Sequence, residues 1–289
     1  MKKYFSLVLF AHTLFAMPFA FIGFFLAITT TNHTFNWVKL VLMILCMVFA
    51  RNAAMAFNRF LDRDIDAENP RTLGRDIPSG RISSREAMLF TIINSLLFIF
   101  TTLFINRLCL YLSPLALAIV LGYSYTKRFT PLCHLILGLG LALAPIGAYL
   151  VITGEFALLP IFFSLAVLCW VSGFDIIYAL QDEEFDCENN LNSIPAWLGK
   201  KNALHVSGFL HFLSIIFIAL PLFFTTLSWF YITGVVFFML LLIYQHRLVK
   251  PDDLSKVDRA FFTTNGIASV VFAIFFFLDI YLRNPLGYF

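Results

Sequence analysis

Nine apolar stretches, each close to the length needed to cross a bilayer, decide what this chain can fold into. A helix rises 1.5 Å per residue, so about 20 apolar residues span the hydrocarbon core. The stretches lie near residues 4–29, 37–57, 86–105, 109–126, 132–152, 157–180, 203–224, 228–246 and 260–282. With 60% hydrophobic and only 13% charged residues, a water-soluble domain of 289 residues would carry more apolar surface than its interior can hide. The expectation is an all-α, polytopic membrane protein, a bundle of nine transmembrane helices forming one domain over residues 1–289. The first stretch is too long for a cleaved leader and ends without a small-residue cleavage site, so it is read as a span.

Charge orients the bundle, because Lys and Arg are retained on the cytoplasmic side. With the N-terminus inside, 16 of the 20 basic residues fall in inner segments, from Lys2 and Lys3 to Arg247, Lys250, Lys256 and Arg259. Lys39, Arg107 and Arg283 fall outside, and Arg51 lies within the second span. A cytoplasmic N-terminus and a location in the inner (cytoplasmic) membrane follow as expectations. The net charge of +3 does not argue for nucleic acid, since the basic residues are topogenic or belong to a site. Nothing in the pattern calls for an obligate protein partner. The five cysteines (Cys46, Cys109, Cys133, Cys169, Cys187) have neither CxxC spacing nor nearby His, so they read as core residues or free thiols.

The acids are not scattered. Twelve of 17 fall within residues 58–86 and 175–188, both on the inner side. In "AFNRFLDRDID", Asn58, Asp62 and Asp66 recur every four residues, a spacing that drifts by only about 40° per step around a helix. They therefore share one stripe, with Arg51 deeper on it; Arg59 and Arg63 are expected to point elsewhere. In "DIIYALQDEEFD", Asp175, Tyr178, Asp182 and Asp186 form a second helical row, with Asp175 at membrane depth, where an ionisable group is costly and usually functional. Two facing acidic rows repel unless a cation lies between them. Mg²⁺ fits, being bound by one or two carboxylates plus water and substrate phosphate. Arg71, Arg75, Lys127 and Arg128 are near enough in sequence to hold outer phosphate oxygens. The site is thus read as a Mg²⁺ and diphosphate site facing the cytoplasm.

Rival readings stay in view. Intramembrane acids also mark cation transporters, but those distribute acids through the bundle and show internal repeats. A lipid phosphotransferase of the CDP-alcohol type would need a compact signature with Gly and Ala-Arg at fixed spacing, which is absent. His12 reads as a core or interface histidine, Asp279 has no partner in sequence, and Glu155 and the 251–258 loop read as solvated surface.

"NRFLDRDIDAENPRTLGRDIPSG" (58–80) resembles the first signature of the UbiA superfamily of intramembrane prenyltransferases, and "YSYTKRFTPL" (123–132) and "DIIYALQDEEFD" (175–186) resemble its later blocks. The similarity covers nearly the whole chain and looks nearest to the branch that prenylates 4-hydroxybenzoate, which includes relatives serving menaquinone pathways. The resemblance implies that Asn58, Asp62, Asp66, Asp182 and Asp186 bind two Mg²⁺ ions and a polyprenyl diphosphate. It implies that Lys127, Arg128 and Arg71 grip the diphosphate and that Asp175 lies beside a small aromatic acid as acceptor. Tyr123, Tyr125 and Tyr178 would face the allylic cation, and Arg51 would meet the acceptor carboxylate. The acceptor stays open between a hydroxybenzoate and a naphthoate-type ring, as does the tail length. Two positions depart from the family pattern: Arg59 stands where many members have a further Asp, and Asp76 where Pro is usual.

Overall fold

A computed structural model describes residues 13–226 and 228–283, and every one of the long helices in it is one the apolar stretches anticipated. In chain order they are α1 (Thr13–Thr30), α2 (Trp37–Leu61), α3 (Ser84–Thr102), α4 (Arg107–Thr126), α5 (Cys133–Thr153), α6 (Leu158–Ala179), α7 (Ile194–Ala219), α8 (Trp229–Leu248) and α9 (Asn265–Arg283). Among the described residues, eight helices are long and apolar enough to cross a membrane, and α1 contributes a shorter apolar segment, Phe15–Thr30. Lys2, Lys3 and His12, and residues 4–12 of the expected first span, lie outside the described residues. The chain is an integral membrane protein, all-helical in its described elements.

Local chemistry sets the helix ends. Ser83 accepts a hydrogen bond from the Glu86 amide while the Glu86 carboxylate takes the Ser83 amide, a reciprocal capping box that starts α3. Asn36, Asn106 and Ser193 cap α2, α4 and α7 through their side-chain oxygens. The expected seventh span begins late, at 203, whereas α7 starts at Ile194 and is broken at Gly199, whose φ of +75° suits glycine alone among common residues. Pro195 in the first turn and this break make a short bent entry to the helix.

Lipid tails are as apolar as leucine, so burial against a neighbour gains little over burial in lipid, and packing plus polar contacts must hold the bundle. α6 is the central helix, with 67% of its apolar window inside, against 17% for α4. Trp170 on α6 is wholly buried among Phe19, Phe174 and Phe238, at ring-centroid distances of 5.4, 5.2 and 5.7 Å. Its indole N–H donates to Asn265 Oδ1 at 3.0 Å. Hydroxyls stitch helices to neighbouring carbonyls: Ser207 to Gly173, Ser214 to Ala166 and Tyr231 to Ile218, at 2.7, 2.8 and 2.6 Å. Large apolar side chains such as Leu96, Phe104, Tyr111 and Phe209 stay exposed on the outer faces, where lipid covers them.

Asp279, without a partner in sequence, has a structural one. Fully buried, it accepts the Ser228 amide at 2.8 Å, the Tyr231 amide at 3.3 Å and the Ser228 hydroxyl. It caps the N-terminus of α8 from across the bundle, satisfying donors that have no helical acceptor.

Candidate active site

The polar ends meet at one end of the bundle. Asp62 closes α2 with φ −89° and ψ 5°, and a six-residue helix, Arg63–Glu68, follows it. Asp182 ends a 3₁₀ turn after α6 with φ −102° and ψ 2°, and another six-residue helix, Glu183–Glu188, follows. The two acidic rows are therefore not the uninterrupted helices their spacing suggested; each turns a corner at its middle Asp. The backbone still links Asn58 to Asp62 and Asp62 to Asp66 by carbonyl-to-amide bonds of 2.9 and 2.7 Å, so the row survives the corner.

The first row is buried and surrounded by cations. Asp62 and Asp66 are each 3% exposed. Asn58 Nδ2 donates to Asp62 Oδ2 at 2.9 Å, and Lys127 Nζ lies 2.9 Å from the same oxygen. Arg128 Nη1 comes within 3.1 Å of Asp62 Oδ1, off the hydrogen-bonding direction, while its Nη2 donates to the Leu61 carbonyl at 3.0 Å. Arg75 reaches back from the 69–83 loop to Asp66 Oδ1 at 2.6 Å. Arg59 was expected to point away, but its Nη1 lies 4.0 Å from Asp66 Oδ2, because seven residues is two helical turns. The rows are thus partly neutralised by the chain's own arginines and lysine.

The second row is more open and is reached from across the site. Arg71 donates through Nε to Asp182 Oδ1 at 2.8 Å and pairs its Nη2 with Oδ2, a two-pronged grip. Asn69 Nδ2 donates to the same Oδ1 at 3.1 Å. The Arg71 guanidinium also donates to the Tyr178 hydroxyl at 3.0 Å and sits 5.2 Å from the centre of its ring. Burial pulls the Arg71 pKa down, but the hydrogen bonds and charge of Asp182 and Tyr178 outweigh it and hold the group above its ordinary value. The 69–83 loop therefore ties both rows together, Arg75 to the first and Arg71 to the second. Asp76, at the position that departs from the family pattern, is buried and ion-paired with Arg81 at 3.1 Å, which pins the same loop.

Other predicted residues fall around this join. Lys127 lies within coulombic reach of Asp186 as well as Asp62, and the Asn192 amide donates to its carbonyl at 2.7 Å. The phenol of Tyr123 is within electrostatic reach of Asp62, Arg59, Asp175 and Arg51. Tyr178 packs its ring 4.2 Å from that of Phe261, delivered by a π-helical turn, Arg259–Thr264, at the start of α9. Tyr125 is not brought in: it is exposed and packs on Phe57 at 5.7 Å. Two residues join without having been singled out, Asn69 and His134, the latter 2.7 Å from Asp175.

Helices of spanning length whose acid-bearing ends are drawn together under an arginine-bearing loop define a polytopic membrane enzyme with its polar chemistry at one end of the bundle. The sequence profile of the UbiA prenyltransferase family matches residues 16–277, and the chain belongs to that family. The 4-hydroxybenzoate octaprenyltransferase of Francisella tularensis subsp. mediasiatica is 29% identical over 235 residues, 81% of this chain and 82% of the relative. The enzyme of the same name from Photobacterium profundum is 29% identical over 238 residues, 82% of each. The apo structure of a UbiA homolog from Aeropyrum pernix K1 matches with a TM-score of 0.84 and 32% identity, covering 93% of this chain and 98% of that one. A UbiA homolog from Archaeoglobus fulgidus bound to DMAPP and Mg²⁺ shares the fold, with a TM-score of 0.75 and 24% identity over 96% and 99% of the two chains.

Proposed function

We propose that this prenyltransferase moves a polyprenyl group from polyprenyl diphosphate onto 4-hydroxybenzoate, giving the 3-polyprenyl product in quinone biosynthesis, with Mg²⁺ as cofactor. The observation that carries the reading is the join itself: two acidic rows from distant helices held together by Arg71, Arg75 and Lys127. The relatives named 4-hydroxybenzoate octaprenyltransferase support the choice of acceptor. In this reading residues 1–289 form one domain of nine crossings, the N-terminus is cytoplasmic, and the site opens to the cytoplasm from the inner membrane.

The donor set suits Mg²⁺. Asp62 Oδ1 and Asp66 Oδ2 are buried and accept no hydrogen bond; each faces only an arginine charge, Arg128 at 3.1 Å and Arg59 at 4.0 Å, a place that a hard cation would take over. Among the described residues no three His, Cys, Asp or Glu side chains converge as a cage, so an ion held here would take the rest of its shell from water and substrate phosphate. Asn58, Asp62 and Asp66 on one row, and Asp182 and Asp186 on the other, would hold two such ions. Bound there, Mg²⁺ supplies neutralisation of the charge that gathers on diphosphate as the C–O bond breaks. Lys127, Arg128 and Arg71 grip the same oxygens and orient the leaving group. The ring face of Tyr123 stabilises the allylic carbon as it becomes positive, and Tyr178, whose ring now lies against the Arg71 guanidinium and Phe261, adds its own face once Arg71 moves onto the diphosphate. Arg51 holds the acceptor carboxylate, and the ring carbon ortho to the hydroxyl takes the prenyl group.

The test is to incubate membranes containing the chain with Mg²⁺, a labelled prenyl diphosphate and a panel of hydroxybenzoates and naphthoates. Label entering 4-hydroxybenzoate is the expected result. Label entering only a naphthoate overturns the acceptor, and cation flux without any transfer overturns the proposal.

A further inference from the structure

His134 begins α5 as a lone histidine before a long apolar run, yet it is 3% exposed and hydrogen-bonded on both ring nitrogens. Its Nε2 faces the Ile194 amide at 3.3 Å, and a backbone N–H can only donate, so Nε2 must offer its lone pair. The ring proton therefore sits on Nδ1, which donates to Asp175 Oδ2 at 2.7 Å.

The ring has little freedom to leave this arrangement. The His134 carbonyl accepts the Ser172 hydroxyl of α6 at 3.1 Å, one turn before Asp175. One turn further along α5, a side chain at Gly138 would meet Ser172 Oγ at 2.3 Å and the Leu168 carbonyl at 2.5 Å, so the two helices are as close there as glycine permits. Ile194, two residues past Asn192, belongs to the segment bonded to the Lys127 carbonyl. His134 thus connects Asp175 to the segment that follows the second acidic row, and its ring lies within coulombic reach of Asp186.

Asp175 keeps one oxygen for other work. Its side chain is 23% exposed, and among the described residues Oδ1 accepts no hydrogen bond. The carboxylate lies within electrostatic reach of Tyr123, which also feels Asp62. We propose that His134 is a positioning residue for the transfer: by donating Nδ1–H to Oδ2 it fixes the Asp175 carboxylate so that Oδ1 receives the phenolic proton of the acceptor. This rests on the proposed reaction. In it, the ortho carbon bonds to the allylic carbon while the C–O electron pair leaves with diphosphate, and the phenolic proton passes to Asp175 Oδ1. The hydrogen on the ortho carbon then departs as a proton to diphosphate, and Asp175 returns its proton to the oxygen, restoring the aromatic phenol.

Two variants separate positioning from packing. His134→Phe keeps the bulk and removes the donor; His134→Asn keeps an N–H close to the Nδ1 position. In Mg²⁺-supplemented membranes with the acid that the wild type prenylates, His134→Phe should lower kcat about 100-fold, the lower end of what a placed proton-transfer group contributes. The KM for prenyl diphosphate should be unchanged, and His134→Asn should recover about tenfold of the loss. In an Asp175→Asn background, His134→Phe should cost almost nothing more, since the two act as one unit. Mg²⁺-dependent binding of labelled prenyl diphosphate reports folding in every variant. A fully active His134→Phe protein, equal losses in the Phe and Asn variants, or additive losses with Asp175→Asn overturn the inference while leaving the proposed reaction intact. A wild type that prenylates no aromatic acid overturns both.

Discussion

The two acidic rows share a backbone plan and differ in how they are held. Asp62 and Asp182 each sit at a corner where a long helix gives way to a six-residue one. Around Asp62 and Asp66, however, burial is nearly complete and cations arrive from the row's own helix, its own loop and the end of α4. Asp182 is half-buried and depends on Arg71 and Asn69 from the other row's loop. The lesson is that similar ligand geometry need not carry similar structural weight. A buried carboxylate facing fixed cations is part of what keeps the bundle folded, whereas one at the mouth can serve substrate with little structural burden.

Alanine substitutions should expose this difference most strongly. Asp62→Ala and Asp182→Ala should each lower prenyl transfer at least about a thousandfold, several kcal/mol of lost leaving-group stabilisation. Asp62→Ala should in addition destabilise the protein in detergent by about 3 kcal/mol, because Lys127 and Arg128 lose a buried counter-charge. Asp182→Ala should cost less than about 1 kcal/mol. Equal losses of melting temperature in the two variants would break the comparison. Next in size is metal removal: chelation should abolish transfer by the wild type. Mg²⁺ with prenyl diphosphate at a hundred times its Kd should raise wild-type stability by about 2.7 kcal/mol, an increment that calorimetry should find missing in Asp182→Ala.

Arg71→Ala should reduce transfer by about 30-fold with a raised KM for prenyl diphosphate, and Arg71→Lys should restore little, since an ammonium cannot make the two-pronged contact. Its raised pKa fixes the sign of any pH effect: the pairing is complete below the ordinary arginine pKa and is lost only above the elevated one. A pH–rate profile should therefore show no alkaline limb that disappears in Arg71→Lys. The smallest effect belongs to the far end of the bundle. Asp279→Ala should cost about 1–2 kcal/mol in thermal stability as a lost helix cap and leave kcat per folded molecule unchanged.

Much of this was legible from residue order alone. Hydropathy places the helices because the bilayer imposes a length, and the four-residue spacing places Asn58, Asp62 and Asp66 on one face because helices repeat at 3.6. What stayed hidden depends on chain segments far apart. Asp175 and His134 are 41 residues apart, and Asp279 and Ser228 are 51; no local pattern links them. Arg59 could have been foreseen, as it is two turns from Asp66. Tyr125 could have been set apart from Tyr123 too, since residues two apart on a helix face nearly opposite ways. The corners at Asp62 and Asp182 had no sequence signal of the usual kind, neither Pro nor Gly.

The 69–83 loop also gives the molecule a built-in reporter. Arg71, Arg75 and Arg81 are trypsin sites, and in this structure all three side chains are engaged with carboxylates. Nicking by a protease needs the loop to peel away and thread an enzyme's cleft, so the rate of digestion at these arginines measures how often the bridge between the rows lets go. Cargo that tightens the bridge should slow the cut and cargo that competes for the arginines should speed it, which turns a simple gel into a readout of site occupancy.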